Sequence, residues 1–168
     1  MSPRAGPPRE MLPDELARYL HAQIPLSQAM AVAVVSIEPD AVTLQAPLAP
    51  NINHRQSVFG GSAAALAILA GWGLLHVRLE AEGVAARLVI QRNTVEYRQP
   101  ILGAFSARAT LEHPERWELF TATLLRKGKA RIAVSAVLKP VEHGEQTSKP
   151  ENRTSASTRH TSNTGLPS

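Results

Sequence analysis

The chain has 168 residues, with 18 basic and 14 acidic side chains, 43% hydrophobic residues and no cysteine. This length fits one domain of ordinary size, and the hydrophobic content excludes a wholly disordered chain. The lack of cysteine excludes disulfide scaffolds, thiolate nucleophiles and cysteine-ligated zinc. The net charge of +4 is too small to indicate nucleic-acid binding by itself.

The two ends of the chain differ in composition from its middle. Residues 1–12 contain three prolines and almost nothing apolar, so we expect a flexible lead-in and not a signal peptide. Residues 141–168 contain ten Ser or Thr and only three aliphatic residues, which predicts a disordered tail. The folded domain is therefore predicted over 13–140, and we expect a cytoplasmic protein.

The first predicted elements are a short helix and a hairpin. Pro13 followed by two acidic residues favours a helix start, and near-helical apolar spacing carries that helix to about Gln23. Alternation then predicts a strand whose buried face carries Ala31, Ala33, Val35 and Ile37. After a break at Glu38-Pro39-Asp40, a second strand is predicted to bury Val42, Leu44 and Ala46.

A long uncharged run opens at Gly60-Gly61-Ser62 and extends to Leu75. It has about 16 residues, fewer than the roughly 20 that cross a bilayer, and much of it is alanine and glycine. The run therefore predicts a buried helix that is apolar on more than one face.

The remaining chain to Pro140 predicts strands only. The expected strands are 87–98, with a bulge or a change of buried face, then 105–111, 117–123 and 132–138, with a hairpin turn at Lys127-Gly128. A helix that is apolar nearly all round has to be covered, and six antiparallel strands can do this only by curving around it. We therefore predict an α+β fold, with edge strands that a dimer would pair.

The segment around the long helix has an unusual charge pattern, since the 39 residues between Asp40 and Glu80 contain no carboxylate. At the start of that helix, Gly60 and Gly61 would expose backbone N–H groups able to stabilise an oxyanion, although Gly-Gly is also typical of a plain tight turn. His54 is a candidate base or donor, or else a solvated surface residue. Asn51 and Asn53 could orient a water or cap the loop.

The sequence lacks the motifs of metal sites, serine nucleophiles and nucleotide-binding loops. No histidine pair has metal-ligand spacing, and there is no nucleophile elbow, phosphate loop or dinucleotide fingerprint. We therefore expect neither a metal nor a cofactor.

Several motifs resemble one known family. They are Pro47-Leu48-Ala49-Pro50-Asn51-Ile52-Asn53-His54, Val58-Phe59-Gly60-Gly61-Ser62, Leu69-Ala70-Gly71-Trp72 and Val95-Glu96-Tyr97-Arg98-Gln99-Pro100. They are similar to the "putative thioesterase" domain family of the hotdog superfamily, a domain that follows a GNAT-type acetyltransferase domain in some bacterial proteins. The resemblance covers roughly residues 13–140. It implies a hotdog fold, a homodimer or dimer of dimers, and hydrolysis of acyl thioesters carried on coenzyme A or acyl carrier protein.

The resemblance also implies a site. Asn53 and His54 fit the family's polar loop, and Phe59-Gly60-Gly61 fits its turn, with Asn51, Phe59, Ser62 and Glu96 expected to contact substrate. The acidic residue that such enzymes carry about two turns into the helix falls on Ile68. This departure weakens the case for carboxylate-driven hydrolysis.

The leading hypothesis is an acyl thioesterase. In it the N–H of Gly61, with that of Gly60, polarises the thioester carbonyl, Asn53 orients water, and His54 is the base, with Glu96 as the second candidate. The rival is a non-catalytic acyl-thioester-binding or dimeric interaction module, which Ile68 favours. A third possibility, a hydratase or dehydratase, would need an acid and a histidine poised across a dimer. Neither a nucleic acid nor a membrane is expected as a partner.

Overall fold

The computed structural model describes residues 9–142 and 156–165. The helices are α1 (Pro13–Gln23), α2 (Pro25–Ala29), α3 (Gly60–Ala81) and α4 (Trp117–Lys127). The strands are β1 (Ala33–Glu38), β2 (Ala41–Ala46), β3 (Arg87–Glu96), β4 (Phe105–Leu111), β5 (Lys129–Pro140) and β6 (Ala156–Gly165). Pro13 takes the first helical position of α1, where its missing N–H costs nothing, and Asp14 and Glu15 occupy the first turn.

All six strands form one antiparallel sheet in the order β1-β2-β4-β5-β6-β3. The sheet is open, because β1 and β3 are its edges and do not pair with each other. α3 packs against β2, β4, β5, β6 and β3, so the sheet curves around this helix. The predicted α+β fold, with a curved antiparallel sheet around one long helix and a short N-terminal helix, is confirmed.

The core is built around α3. By length and composition α3 would suit a membrane span, with a mean hydropathy of 1.5, but 56% of that window is buried inside the fold. Leu16 of α1 and Val42 of β2 lie 3.5 and 3.7 Å from the position that a Cβ on Gly73 would occupy, so α1 and the sheet pack together on this part of α3. The buried residues of α3 fall on several of its faces, which agrees with a helix that is apolar nearly all round.

Three strands bury the face that the alternation predicts. The buried residues are Val42, Leu44 and Ala46 on β2, Phe105, Ala107, Ala109 and Leu111 on β4, and Ile132, Val134, Ala136 and Leu138 on β5. The predicted irregularity in β3 is also confirmed, as a register shift between Ile90 and Arg92.

The predicted buried face of β1 is wrong. Val32, just before the strand, is buried and Val34 is half-buried, whereas Ala33 and Val35 are exposed. A register shift between Val34 and Ser36 then brings Ile37 back towards the core. A bulge adds one residue to a strand and so reverses which side chains face inward, which simple alternation does not reveal.

The predicted strand over 117–123 is also wrong, because this segment is helix α4. Trp117, Phe120 and Leu124 are buried at helical spacing, and Leu125 is exposed. Gly128, with φ 71°, ends the helix and donates its N–H to the Leu124 carbonyl at 2.8 Å, so it is a helix cap and not a hairpin turn. β4 and β5 pair directly, and α4 is the connection between them.

The sixth strand comes instead from the segment predicted to be a disordered tail. Residues Ala156–Gly165 form β6, which pairs with β5 on one side and β3 on the other. Backbone ladders on both sides satisfy its N–H and C=O groups, and this pairing needs no apolar side chain. The rest of the predicted tail from 143 to 155 and from 166 to 168, and residues 1–8 of the predicted lead-in, lie outside the described residues.

Candidate active site

The start of α3 presents free backbone donors. Its N-cap residue is Phe59, which has no side-chain oxygen, and the first helical bond runs from the Ala63 N–H to the Phe59 carbonyl at 3.0 Å. The N–H groups of Gly60, Gly61 and Ser62 therefore have no partner within the described residues. No acidic residue lies in this first turn, so the partial positive charge of the helix end is not neutralised locally.

The preceding loop is held in shape by Asn53. Its Oδ1 accepts the N–H of Arg55 at 2.8 Å and that of Ser57 at 3.2 Å, while its Nδ2 donates to Ser57 Oγ at 3.0 Å. The backbone N–H of Asn53 also donates to the Ser57 carbonyl, which closes the loop. The amide is thus engaged in loop geometry, which agrees with the capping alternative.

Asn51 anchors the other end of this loop. It is 2% exposed, and its Nδ2 donates to the carbonyls of Met30 at 2.9 Å and Pro47 at 2.8 Å. The backbone carbonyl of Asn51 accepts the N–H of Phe59, the residue before the helix, at 2.7 Å. Asn51 therefore helps to fix the position of the helix start, and its side chain does not face solvent.

A cavity of about 300 Å³ adjoins Gly60. It lies between the residues that enter α3 and the segment that follows β3, which are joined by a 2.8 Å bond from the Val58 N–H to the Ile101 carbonyl. Its apolar lining is contributed by Val58, Ala63, Pro100, Ile101 and Leu138, and its polar lining by Ser57, Tyr97, Arg98 and Gln99. The cavity therefore opens directly onto the start of α3.

Tyr97 joins the cavity to the helix start. Its hydroxyl donates to the Gly60 carbonyl at 2.7 Å, and its ring lies 3.5 Å from the position that a Cβ on Gly60 would occupy. The ring of Phe59 lies so close to Gly61 that a Cβ on Gly61 would overlap the ring. Gly61 therefore allows the Phe59 ring to pack directly on the first turn, whereas a Cβ on Gly60 would make an ordinary contact with the Tyr97 ring.

The predicted site residues separate into two groups. Gly60 lines the cavity, Gly61, Ser62 and Phe59 adjoin it along the chain, and Asn51 and Asn53 hold the loop that leads to it. His54 is exposed in the loop between Asn53 and Ser57, and Glu96 is exposed and paired with Arg98 at 3.5 Å. Neither of these two lines the cavity, and Glu96 lies at the end of a strand that is mostly exposed.

Sequence reasoning missed Tyr97, Arg98 and Gln99 as site residues. The one signal for them was the motif Val95–Pro100, which belongs to the family resemblance but carried no assigned role beyond Glu96. Ile68, at the expected acidic position, is half-buried. Among the described residues lining the cavity there is no carboxylate and no histidine.

A curved antiparallel sheet packed around one long central helix is the hotdog fold, and here the cavity lies beside the two glycines that begin this helix. The chain matches the family described as "Putative thioesterase (yiiD_Cterm)" over residues 13–147 and belongs to that family.

Solved structures agree with this assignment. A protein of unknown function from Chlorobaculum tepidum is 28% identical, with a TM-score of 0.82 over 94% of this chain and 99% of that one. A "probable thioesterase" from Pseudomonas aeruginosa is 26% identical, with a TM-score of 0.70 over 94% and 99%. A "putative thioesterase" from Shewanella oneidensis, 22% identical, has the same fold, with a TM-score of 0.74 over 92% and 97%.

Proposed function

We propose that this protein hydrolyses acyl thioesters carried on coenzyme A or acyl carrier protein. The observation that carries the proposal is the row of N–H groups at Gly60, Gly61 and Ser62, which have no partner in the described part of the chain and lie beside a cavity that is mostly apolar. Membership of a thioesterase-like family supports it. An acyl chain would occupy the apolar part of the cavity and place its carbonyl oxygen at the helix start.

The chemistry follows from those donors. When water attacks the carbonyl carbon, the oxygen gains negative charge, and the N–H of Gly61, with that of Gly60, stabilises it. One such donor contributes about 3 kcal/mol in a dry site. The intermediate then collapses, the C–S bond breaks, and the proton taken from water is passed to the departing thiolate.

We propose His54 as the acceptor of the proton from the attacking water. It is the one imidazole in the polar loop that leads to α3, and catalytic hydrogen bonds often tighten only when substrate is bound. Glu96 is the second candidate, from the end of β3.

The test is a panel of short, medium and long acyl-CoAs with wild type and three variants. We expect His54→Ala to lower kcat by about a hundredfold. Glu96→Gln tests the second base, and His113→Ala is the matched control, since His113 is an exposed histidine that pairs with Glu115 in a distant turn. A His54→Ala rate equal to wild type would reject His54 as the base.

One observation favours a rival function, a module that binds acyl thioesters without cleaving them. The described cavity lining contains neither a carboxylate nor a histidine. The same panel separates the two functions, because measurable binding with turnover no faster than buffer supports the module and rejects the enzyme.

We also propose that the protein acts as a homodimer, joined through the free edge of β3. That strand is exposed on both faces along most of its length, which is unusual for a strand of a folded monomer. The other edge, β1, is short and carries a bulge, which blunts it against pairing.

A further inference from the structure

Tyr97 makes a hydrogen bond to the start of α3 from outside the hydrophobic core. The residue follows the end of β3 and is 56% exposed, and it does not belong to the core cluster. Its hydroxyl nevertheless reaches the Gly60 carbonyl at 2.7 Å, which is an ordinary distance for a well-formed O–H···O bond.

The acceptor of this bond matters for chemistry. The carbonyl of Gly60 and the N–H of Gly61 belong to the same peptide group. A donor on the carbonyl oxygen polarises that group and makes its N–H a stronger donor, as in other hydrogen-bond chains. In a regular helix the Gly60 carbonyl also accepts from the amide four residues on, so the phenol adds a second donor to it.

We propose that Tyr97 is a positioning residue that polarises the Gly60–Gly61 peptide and thereby strengthens the Gly61 N–H as an oxyanion donor. The inference rests on the proposed function, in which that N–H receives the developing charge. The Tyr97 ring lies beside the first turn, 3.5 Å from the position that a Cβ on Gly60 would occupy, and from there its hydroxyl reaches the Gly60 carbonyl.

The same bond fixes the geometry of the site. Tyr97 and Gly60 both line the cavity, one after β3 and one at the start of α3. The hydrogen bond between them holds the helix start against the segment after β3, so the donors do not have to reorganise as charge develops.

The test compares the full-length wild type with Tyr97→Phe, which keeps the ring and removes only the hydroxyl. The first readout is the ¹⁵N and ¹H chemical shift of the Gly61 amide without ligand, which we expect to move upfield in the variant. The second is steady-state hydrolysis of the best acyl-CoA, in which we expect kcat to fall about fivefold with KM unchanged. Tyr19→Phe is the matched control, since Tyr19 lies on α1 and stacks on His76.

The outcomes are distinct. A Gly61 amide shift equal to that of wild type, or an unchanged kcat, overturns the inference and leaves the proposed hydrolysis standing. A raised KM with unchanged kcat also overturns it, because Tyr97 would then serve only to bind substrate. A wild type without turnover overturns the proposed function, and this inference fails with it.

Discussion

At the scale of single residues, the two asparagines that precede α3 make different kinds of hydrogen bond. Asn53 shapes the loop through its own backbone neighbours, whereas Asn51 reaches across to the carbonyls of Met30 and Pro47. Asn51 Oδ1 is buried without a partner among the described residues. Because an unsatisfied buried oxygen is costly, the two bonds of the Nδ2 have to outweigh it.

His76, on α3, is half-buried between two aromatic rings. Its ring lies 4.5 Å from that of Tyr19 and 4.7 Å from that of Trp72, measured between centroids. Its Nε2 has no hydrogen-bond partner among the described residues. Burial lowers the pKa of His76, and the carboxylate of Glu80 opposes this only in part.

A pH dependence of stability follows from this stack. Below the ordinary histidine pKa of 6.5, unfolded chains take up a proton at His76 before folded ones do. The free energy of unfolding therefore falls as the pH is lowered from 8 towards the depressed pKa. We expect His76→Phe, which keeps the stack, to lose less stability than wild type between pH 8 and 5.5, as measured by urea denaturation. An equal loss in both proteins would contradict a neutral, buried His76.

At the scale of elements, α4 shows where periodicity alone is insufficient. Trp117 and Leu119 fit a strand alternation, while Trp117, Phe120 and Leu124 fit a helix, so both patterns are present in one short segment. The signals that favour the helix flank it, with Pro114 before and Gly128 after. β5 is predictable because only a strand alternation fits it, and α3 is predictable because its uncharged run is too long for a buried strand.

Two leucines in α4 give a direct stability test. Leu124 is fully buried and Leu125 is 60% exposed. We expect Leu124→Ala to lower the free energy of unfolding by about 2–5 kcal/mol and Leu125→Ala by about 0.5 kcal/mol or less, measured by chemical denaturation. A strand with Trp117 and Leu119 inward would bury Leu125 in place of Leu124, so the reverse order would contradict the helix.

At the scale of the whole molecule, the candidate site joins segments that are distant in sequence. The glycine start of α3 is predictable because glycine, a polar loop and an apolar run occur together. The side of the cavity that follows β3 is not predictable from sequence, because the bulge in β3 changes which of the later side chains face the helix. Sequence therefore predicts the donors at Gly60 and Gly61 but not Tyr97, which meets them only through the folded sheet.

The assembly proposed above can be tested on the two edges of the sheet. Val89 and Ile90 on β3 are 47% and 37% exposed, and Val35 on β1 is 50% exposed. We expect wild type to have twice the 18.1 kDa mass of one chain in light scattering. Ile90→Lys with Val89→Lys should halve that mass, because charges on an edge strand oppose pairing.

Val35→Lys is the matched control for the opposite edge. It adds one charge to an exposed valine of similar accessibility and should leave the dimer intact. A dimer lost only with Val35→Lys would transfer the interface to β1, and a wild type with the mass of one chain would reject the dimer.

The position of β6 has a consequence for the order of assembly. β6 follows every other described element in the chain, yet it lies inside the sheet, and it is the strand that joins β3 to the rest. Arg87 pairs with Gly165, so this contact closes a loop that spans almost half of the sequence. Contacts of such long range form slowly. During synthesis, β3, the strand that leads to Tyr97, therefore pairs into the sheet only after β6 has emerged.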